Sequence, residues 1–142
     1  MPYDPMMVAP MRDELTRLGF QELRRPEDVD REIAQSGRIL LVVNSVCGCA
    51  AGVARPGVAM SLKHPGAPRR LATVFAGQDV EATARARGYF GGLPPSSPQV
   101  AILEGGKLLF MLQRHEIEGR SAEQVAAALT AAYERLAQKA TA

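Results

Sequence analysis

The sequence predicts an α/β fold: a four-stranded mixed sheet with helices on both faces and one extra helix at the N-terminus. Three observations predict it. The run RILLVVNS (38–45) is aliphatic and β-branched without a break, as in a strand buried on both faces. Strand-like and helix-like segments alternate through the middle of the chain, which implies a parallel pair joined by right-handed crossovers. Two apolar runs then meet at Gly105-Gly106, adding an antiparallel hairpin.

Each element has its own local reason. PMRDELTRLGF (10–20) places Met11, Leu15 and Leu18 at helical spacing and stops at Gly19, so a short helix is expected. In RRPEDVDREIAQSG (24–37), Pro26 suits a first helical turn and acids fill it. Val29 and Ile33 share a face, and Gly37 ends the segment. The first strand, Ile39–Asn44, follows. AAGVARPGVAMSLKH (50–64) fits a helix kinked where Pro56 lacks a backbone donor. Leu71–Ala76 is the second strand. DVEATARARG (79–88) is a second crossover helix, with Asp79 as its N-cap. Val100–Leu103 and Leu108–Leu112 form the hairpin. The last helix opens on a capping box, Ser121 with Gln124, and puts Val125, Leu129 and Leu136 on one face. This order of elements is the thioredoxin arrangement.

Composition narrows the function classes. A chain of 142 residues, 46% of them apolar, is expected to be a single thioredoxin-like domain over 1–142. A net charge of +2 with no Lys/Arg run gives no reason to expect nucleic acid as a partner. No window is apolar enough for a membrane span, so no membrane partner is expected either. MPYDPMMVAPMRDE lacks the basic-then-apolar order of a signal peptide, and a cytoplasmic protein is expected. Nothing in the residues fixes an oligomeric state.

The chain has two cysteines, and both lie in NSVCGCAAGVARPG (44–57), at the end of the first strand. In a reducing compartment a structural bridge is not expected. A bridge between near neighbours also closes so small a loop that it stabilises little. Three readings remain. The cysteines could be small core hydrophobes. Cys47, Cys49, His64 and His115 could form a metal set, but C-x-C is not the usual ligand spacing and the histidines are unpaired in sequence, so no metal is expected. The third reading is thiol chemistry. Cys47 stands at a strand-to-helix junction, where free amides and the helix dipole favour a thiolate. It is therefore expected to have the lower pKa and the greater exposure. Gly48 gives the backbone between the sulfurs extra conformational freedom. Cys47 would attack a foreign disulfide, and Cys49 would release the mixed disulfide that forms.

GGLPPSSPQVAIL (91–103) carries the other signal. Pro98 stands just before the third strand, and in this arrangement its loop faces the cysteines at the carboxyl ends of the parallel strands. A cis Ser97–Pro98 bond beside Cys47 is expected, with the Ser97–Pro98 loop presenting backbone groups to an extended substrate.

NSVCGCAAGVARPG resembles the active-site segment of the bacilliredoxins, thioredoxin-like proteins with a C-G-C motif. MRDELTRLGFQEL (11–23) and RHEIEGRSAEQV (114–125) are similar to their end segments. The resemblance implies removal of bacillithiol from S-bacillithiolated proteins. Cys47 would be the attacking cysteine, Cys49 the resolving one, and Pro98 would take the cis-proline place. Bacillithiol would be a thiol co-substrate, with no resident cofactor. It carries a malate, whose carboxylates could meet Arg55, Arg69, Arg70 or Arg114. From the residues alone, a general disulfide isomerase or reductase stays open. So does a carrier of metal or of an iron–sulfur cluster shared across a dimer.

Overall fold

The computed structural model describes residues 2–141. Its elements are α1 (Pro5–Thr16), β1 (Gln21–Glu22), α2 (Pro26–Ile33), β2 (Arg38–Asn44), a π-helical turn (Ala50–Ala54) that runs into α3 (Arg55–Ser61), β3 (Arg70–Phe75), α4 (Val80–Arg87), β4 (Gln99–Glu104), β5 (Lys107–Leu112), α5 (Arg114–Ile117) and α6 (Ala122–Thr141). They build one mixed sheet in the order β1-β3-β2-β4-β5. The pairs β1–β3 and β2–β3 are parallel, whereas β2–β4 and β4–β5 are antiparallel.

The sheet thus has five strands, not the expected four. The fifth is β1, two residues at the edge, held by main-chain pairing with Ala72 and Thr73 and by the Leu23 amide on the Thr73 carbonyl at 2.9 Å. Two residues are too few to show a strand period.

Alternation along β2 divides the core. Leu40 and Val42 face one cluster, with Val58, Val100, Ile102, Leu129 and Tyr133. Ile39, Leu41 and Val43 face the other, with Val29, Ile33, Ala72, Val74 and Leu103. Both faces of the strand are buried, so its run of aliphatics carries no polar member until Asn44. The capping box of α6 is present: the Gln124 amide donates to Ser121 Oγ at 3.1 Å and the Ser121 amide to Gln124 Oε1 at 2.9 Å.

Four local expectations change. First, α1 starts at Pro5, earlier than expected. Asp4 caps it by accepting from the Met6 amide at 2.9 Å, and Pro10 lies inside the helix. Second, Asp79 precedes α4 but makes no side-chain cap. Its carboxylate takes two bonds from Arg12, at 2.9 and 3.0 Å, and this ties α1 to the loop after β3. Third, the helix expected over 50–64 is widened where a kink was expected. Pro56 has no N–H to give, and the Arg55 amide instead bonds Ala50 O, five residues back. Fourth, α5 adds a single helical turn where no element was expected, because four residues show no period.

Candidate active site

β2 ends at Asn44, and the chain passes through Ser45 and Val46 to Cys47. There it enters a helical turn, with the Ala50 and Ala51 amides donating to the Cys47 carbonyl at 3.1 and 3.2 Å. Cys47 therefore sits at the strand-to-helix junction. Its own amide donates to Ser45 Oγ at 3.1 Å. The two sulfurs are free thiols 2.8 Å apart, so an S–H of one reaches the other. Cys49 also packs against the core cluster that holds Leu40 and Val58.

The two thiols are shifted in opposite directions. At Cys47 burial works against the thiolate. Hydrogen bonds from Cys49, Ser45 and the Ala50 amide, with the charge of Arg114, outweigh it, and the pKa falls below the ordinary thiol value. At Cys49 burial, the hydrogen bond given to Cys47 and repulsion by the Cys47 thiolate all favour the protonated form, and the pKa rises. Reduced protein is therefore expected to titrate in two steps that belong to the pair, one below and one above the ordinary thiol value. Alkylation should accelerate as pH rises through the first step. A single step at the ordinary value would contradict this arrangement.

The facing loop completes the site. The Ser97–Pro98 peptide is cis, and the Ser97 carbonyl oxygen lies 4.0 Å from Cys47 Sγ. A polar network holds this loop from behind. Gln113 Oε1 accepts from Ser96 Oγ at 2.6 Å and from Gln99 Nε2 at 2.7 Å, while Gln113 Nε2 donates to Pro94 O at 3.2 Å. Arg87 donates to Ser96 O at 2.6 Å and to Gln99 Oε1 at 3.1 Å. Gln99 and Gln113 are buried, so leaving either without partners would be costly. Arg114 Nη1 lies 3.4 Å from Ser97 O, and its charge acts on both sulfurs.

Cys47, Gly48, Cys49, Ser97 and Pro98 thus come together, with two corrections. Gly48 has no positive φ, and a Cβ there would meet nothing within 4 Å. Its freedom of backbone is not used, and the residue is exposed beside the sulfurs. Nor does exposure separate the cysteines, since both are half-buried.

Of the four arginines, only Arg114 faces the site with donors to spare. Arg55 is buried beneath the loop. Arg69 and Arg70 stand at the start of β3, the opposite end of the sheet, and Arg70 is bonded to carbonyls of residues 35–37. His64 bonds Glu134 and the Gly66 amide, and His115 is exposed on α5. Among the described residues no three His, Cys, Asp or Glu side chains gather as metal ligands. Sequence reasoning missed Ser45, Arg87, Gln99 and Gln113. The available signal was position: Ser45 follows the first polar residue after an aliphatic strand, and the two glutamines flank the hairpin runs symmetrically.

The chain is similar to several known proteins. A family model described as disulphide isomerase matches residues 3–137. A bacilliredoxin of Koribacter versatilis is 52% identical over 134 residues, covering 94% of this chain and 92% of that protein. One of Cytophaga hutchinsonii is 49% identical over 134 residues, covering 94% and 99%. Among solved structures, a protein with a thioredoxin fold aligns at TM-score 0.62 and 13% identity, covering 78% of this chain and 90% of that one. Malassezia sympodialis thioredoxin aligns at 0.55 and 11%, covering 82% and 89%. Fold and paired thiols together define a thiol–disulfide oxidoreductase of the thioredoxin fold. Within that class the chain belongs to the bacilliredoxin family.

Proposed function

We propose that the protein reduces mixed disulfides between protein cysteines and bacillithiol, with Cys47 attacking and Cys49 resolving. One observation carries the reading: a sulfur favoured as thiolate touches, at 2.8 Å, a sulfur favoured as thiol. Thiolate is the attacking species, so the first step falls to Cys47 while Cys49 waits protonated. Cys47 Sγ attacks the bacillithiol sulfur, and the client leaves as thiolate and takes up a proton. Cys49 then loses its proton and attacks Cys47 Sγ, which releases bacillithiol and closes the Cys47–Cys49 disulfide. The two electrons come from the two thiols, so no resident cofactor is needed. A reductant thiol resets the pair, as a cytoplasmic setting supplies. Ser97 and Pro98, with the uncovered Gly48, form the surface on which the client backbone lies.

Reduced protein incubated with bacillithiolated and glutathionylated forms of one target, read by mass spectrometry, tests the reading. Faster release of bacillithiol is expected. Equal rates would replace the proposal with a general reductase. The matching family model's description favours a second reading, disulfide isomerase. Reactivation of a scrambled client without any small thiol would support that one.

Arg114 is the cation available to the malate carboxylates. An exposed ion pair is weak and screened by solvent, so Arg114→Gln should raise KM for the bacillithiolated target by no more than about fivefold. Measured above the first thiol titration, kcat should hold, and Arg69→Gln should behave as wild type. An unchanged KM in Arg114→Gln would remove this residue from recognition.

A further inference from the structure

Arg55 is 3% exposed, as buried as the core aliphatics. A buried guanidinium is unfavourable unless its donors are paired, and a buried ion pair is seldom a gain in stability by itself. The partners of Arg55 suggest why it is there. Nη1 donates to Asn44 Oδ1 at 2.8 Å and to Ser45 O at 2.9 Å, so one nitrogen joins a side chain to the next residue's main chain. Nε lies 3.3 Å from Glu14 Oε2, an ion pair without hydrogen-bond alignment.

Asn44 is pinned further. Its Oδ1 also accepts from the Ser45 amide at 2.8 Å, and its Nδ2 donates to Met11 O at 3.1 Å. Ser45, itself 5% exposed, then meets the site, for its Oγ accepts from the Cys47 amide at 3.1 Å. Its hydroxyl hydrogen is left free to point at the Cys47 sulfur. A serine hydroxyl can rotate, and it serves a thiolate only if the backbone beneath it is fixed. Arg55 and Asn44 supply that fixing. Among the described residues, no hydrogen bond or ion pair joins Arg55 to either sulfur.

The path from sequence to this arrangement runs through the π turn. A π turn carries one extra residue, which rotates the succeeding helix by about 100° relative to a regular one. Arg55 is the first residue after it and enters the buried side.

We propose that Arg55 is a positioning residue that sets the reactivity of Cys47 through a relay of buried hydrogen bonds, Arg55 to Asn44 and Ser45, and Ser45 to Cys47. The proposal rests on Cys47 being the attacking thiol.

The alkylation rate of Cys47 against pH in reduced protein, with folding checked by thermal unfolding, tests the relay. Arg55→Gln should move the first titration upward by about one unit, or about tenfold less thiolate at a fixed pH below it. Arg55→Lys keeps a cation with several donors and should restore most of the shift, which a loss of packing alone would not produce. Ser45→Ala removes only the hydroxyl at the far end and should shift the titration the same way with Arg55 intact. The double variant Arg55→Gln/Ser45→Ala should shift no further than the larger single one, because both act through one relay. Additive shifts would overturn the proposal. So would an unshifted Ser45→Ala, even if Arg55→Gln does not fold. Cys47→Ser that still released the small thiol would instead sink the assignment of the attacking residue, leaving the two failures distinct.

Discussion

Cys47→Ser is expected to lose release of the small thiol completely, while Cys49→Ser is expected to stop after one equivalent with the small thiol bound to Cys47. The asymmetry comes from the opposite pKa shifts of two sulfurs in contact. Without Cys47 no activated sulfur remains, since burial alone still disfavours the Cys49 thiolate once its neighbour is gone. Without Cys49 the first attack still occurs, more slowly at low pH because Cys47 has lost a hydrogen bond that favours its thiolate. The client is freed once, and the adduct has no internal exit. In wild type, close spacing gives the second attack a high effective concentration, whereas the small C-G-C ring opposes the closed product. The expected balance is closure that is readily reversed. Mass spectrometry separates the outcomes. Oxidised wild type should be lighter by the two thiol hydrogens, and Cys49→Ser should be heavier by one small thiol. A lasting adduct on wild type would show that Cys49 does not resolve, and release by Cys47→Ser would exchange the roles.

What the sequence disclosed depended on how local each signal was. β2 was legible because both of its faces are buried, so its composition alone marks it. The hairpin β4–β5 was legible because two glycines of positive φ divide two apolar runs. Strand β1 was not, since its existence depends on partners supplied by β3, some fifty residues later. The same division runs through the site. Cys47, Cys49 and Pro98 belong to residue types whose chemistry or geometry is distinctive wherever they occur. Arg55 was visible in the sequence, but as a candidate anion ligand. Its burial comes from the phase of a π turn, which no count of spacing on a regular helix would give. Arg114 was one of four equal candidates until the fold brought α5 beside the cysteines and put Arg69 and Arg70 at the opposite end of the sheet.

Gly57→Ala is expected to destabilise the protein although it replaces glycine with the best helix former. Inside a helix the exchange gains about 1 kcal/mol from propensity. At Gly57 the added Cβ would lie 2.8 Å from Val125 Cγ1, 2.9 Å from Val125 Cβ and 2.9 Å from the Ala122 carbonyl oxygen. The valine could turn, but the carbonyl is main chain in the first turn of α6, beside the Ser121–Gln124 capping box. Relief therefore requires α3 and α6 to separate. Overpacking of this kind costs about 1–3 kcal/mol, and a contact with backbone belongs at the upper end. The net expectation is a loss of about 1–2 kcal/mol, seen as a Tm lower by about 2–8 °C. Gly52 provides the comparison. It also lies in the helical segment after the cysteines, has no positive φ, and a Cβ there meets nothing within 4 Å. Gly52→Ala should thus be neutral or stabilising by up to about 1 kcal/mol. Thermal unfolding of the two variants decides the matter, and a Tm at or above wild type for Gly57→Ala would refute the close-approach argument. The site should register the same displacement. Arg55 opens α3, two residues before Gly57, so moving the helix draws its guanidinium away from Asn44 and Ser45. Alkylation of Cys47 below its titration should then slow in Gly57→Ala and not in Gly52→Ala.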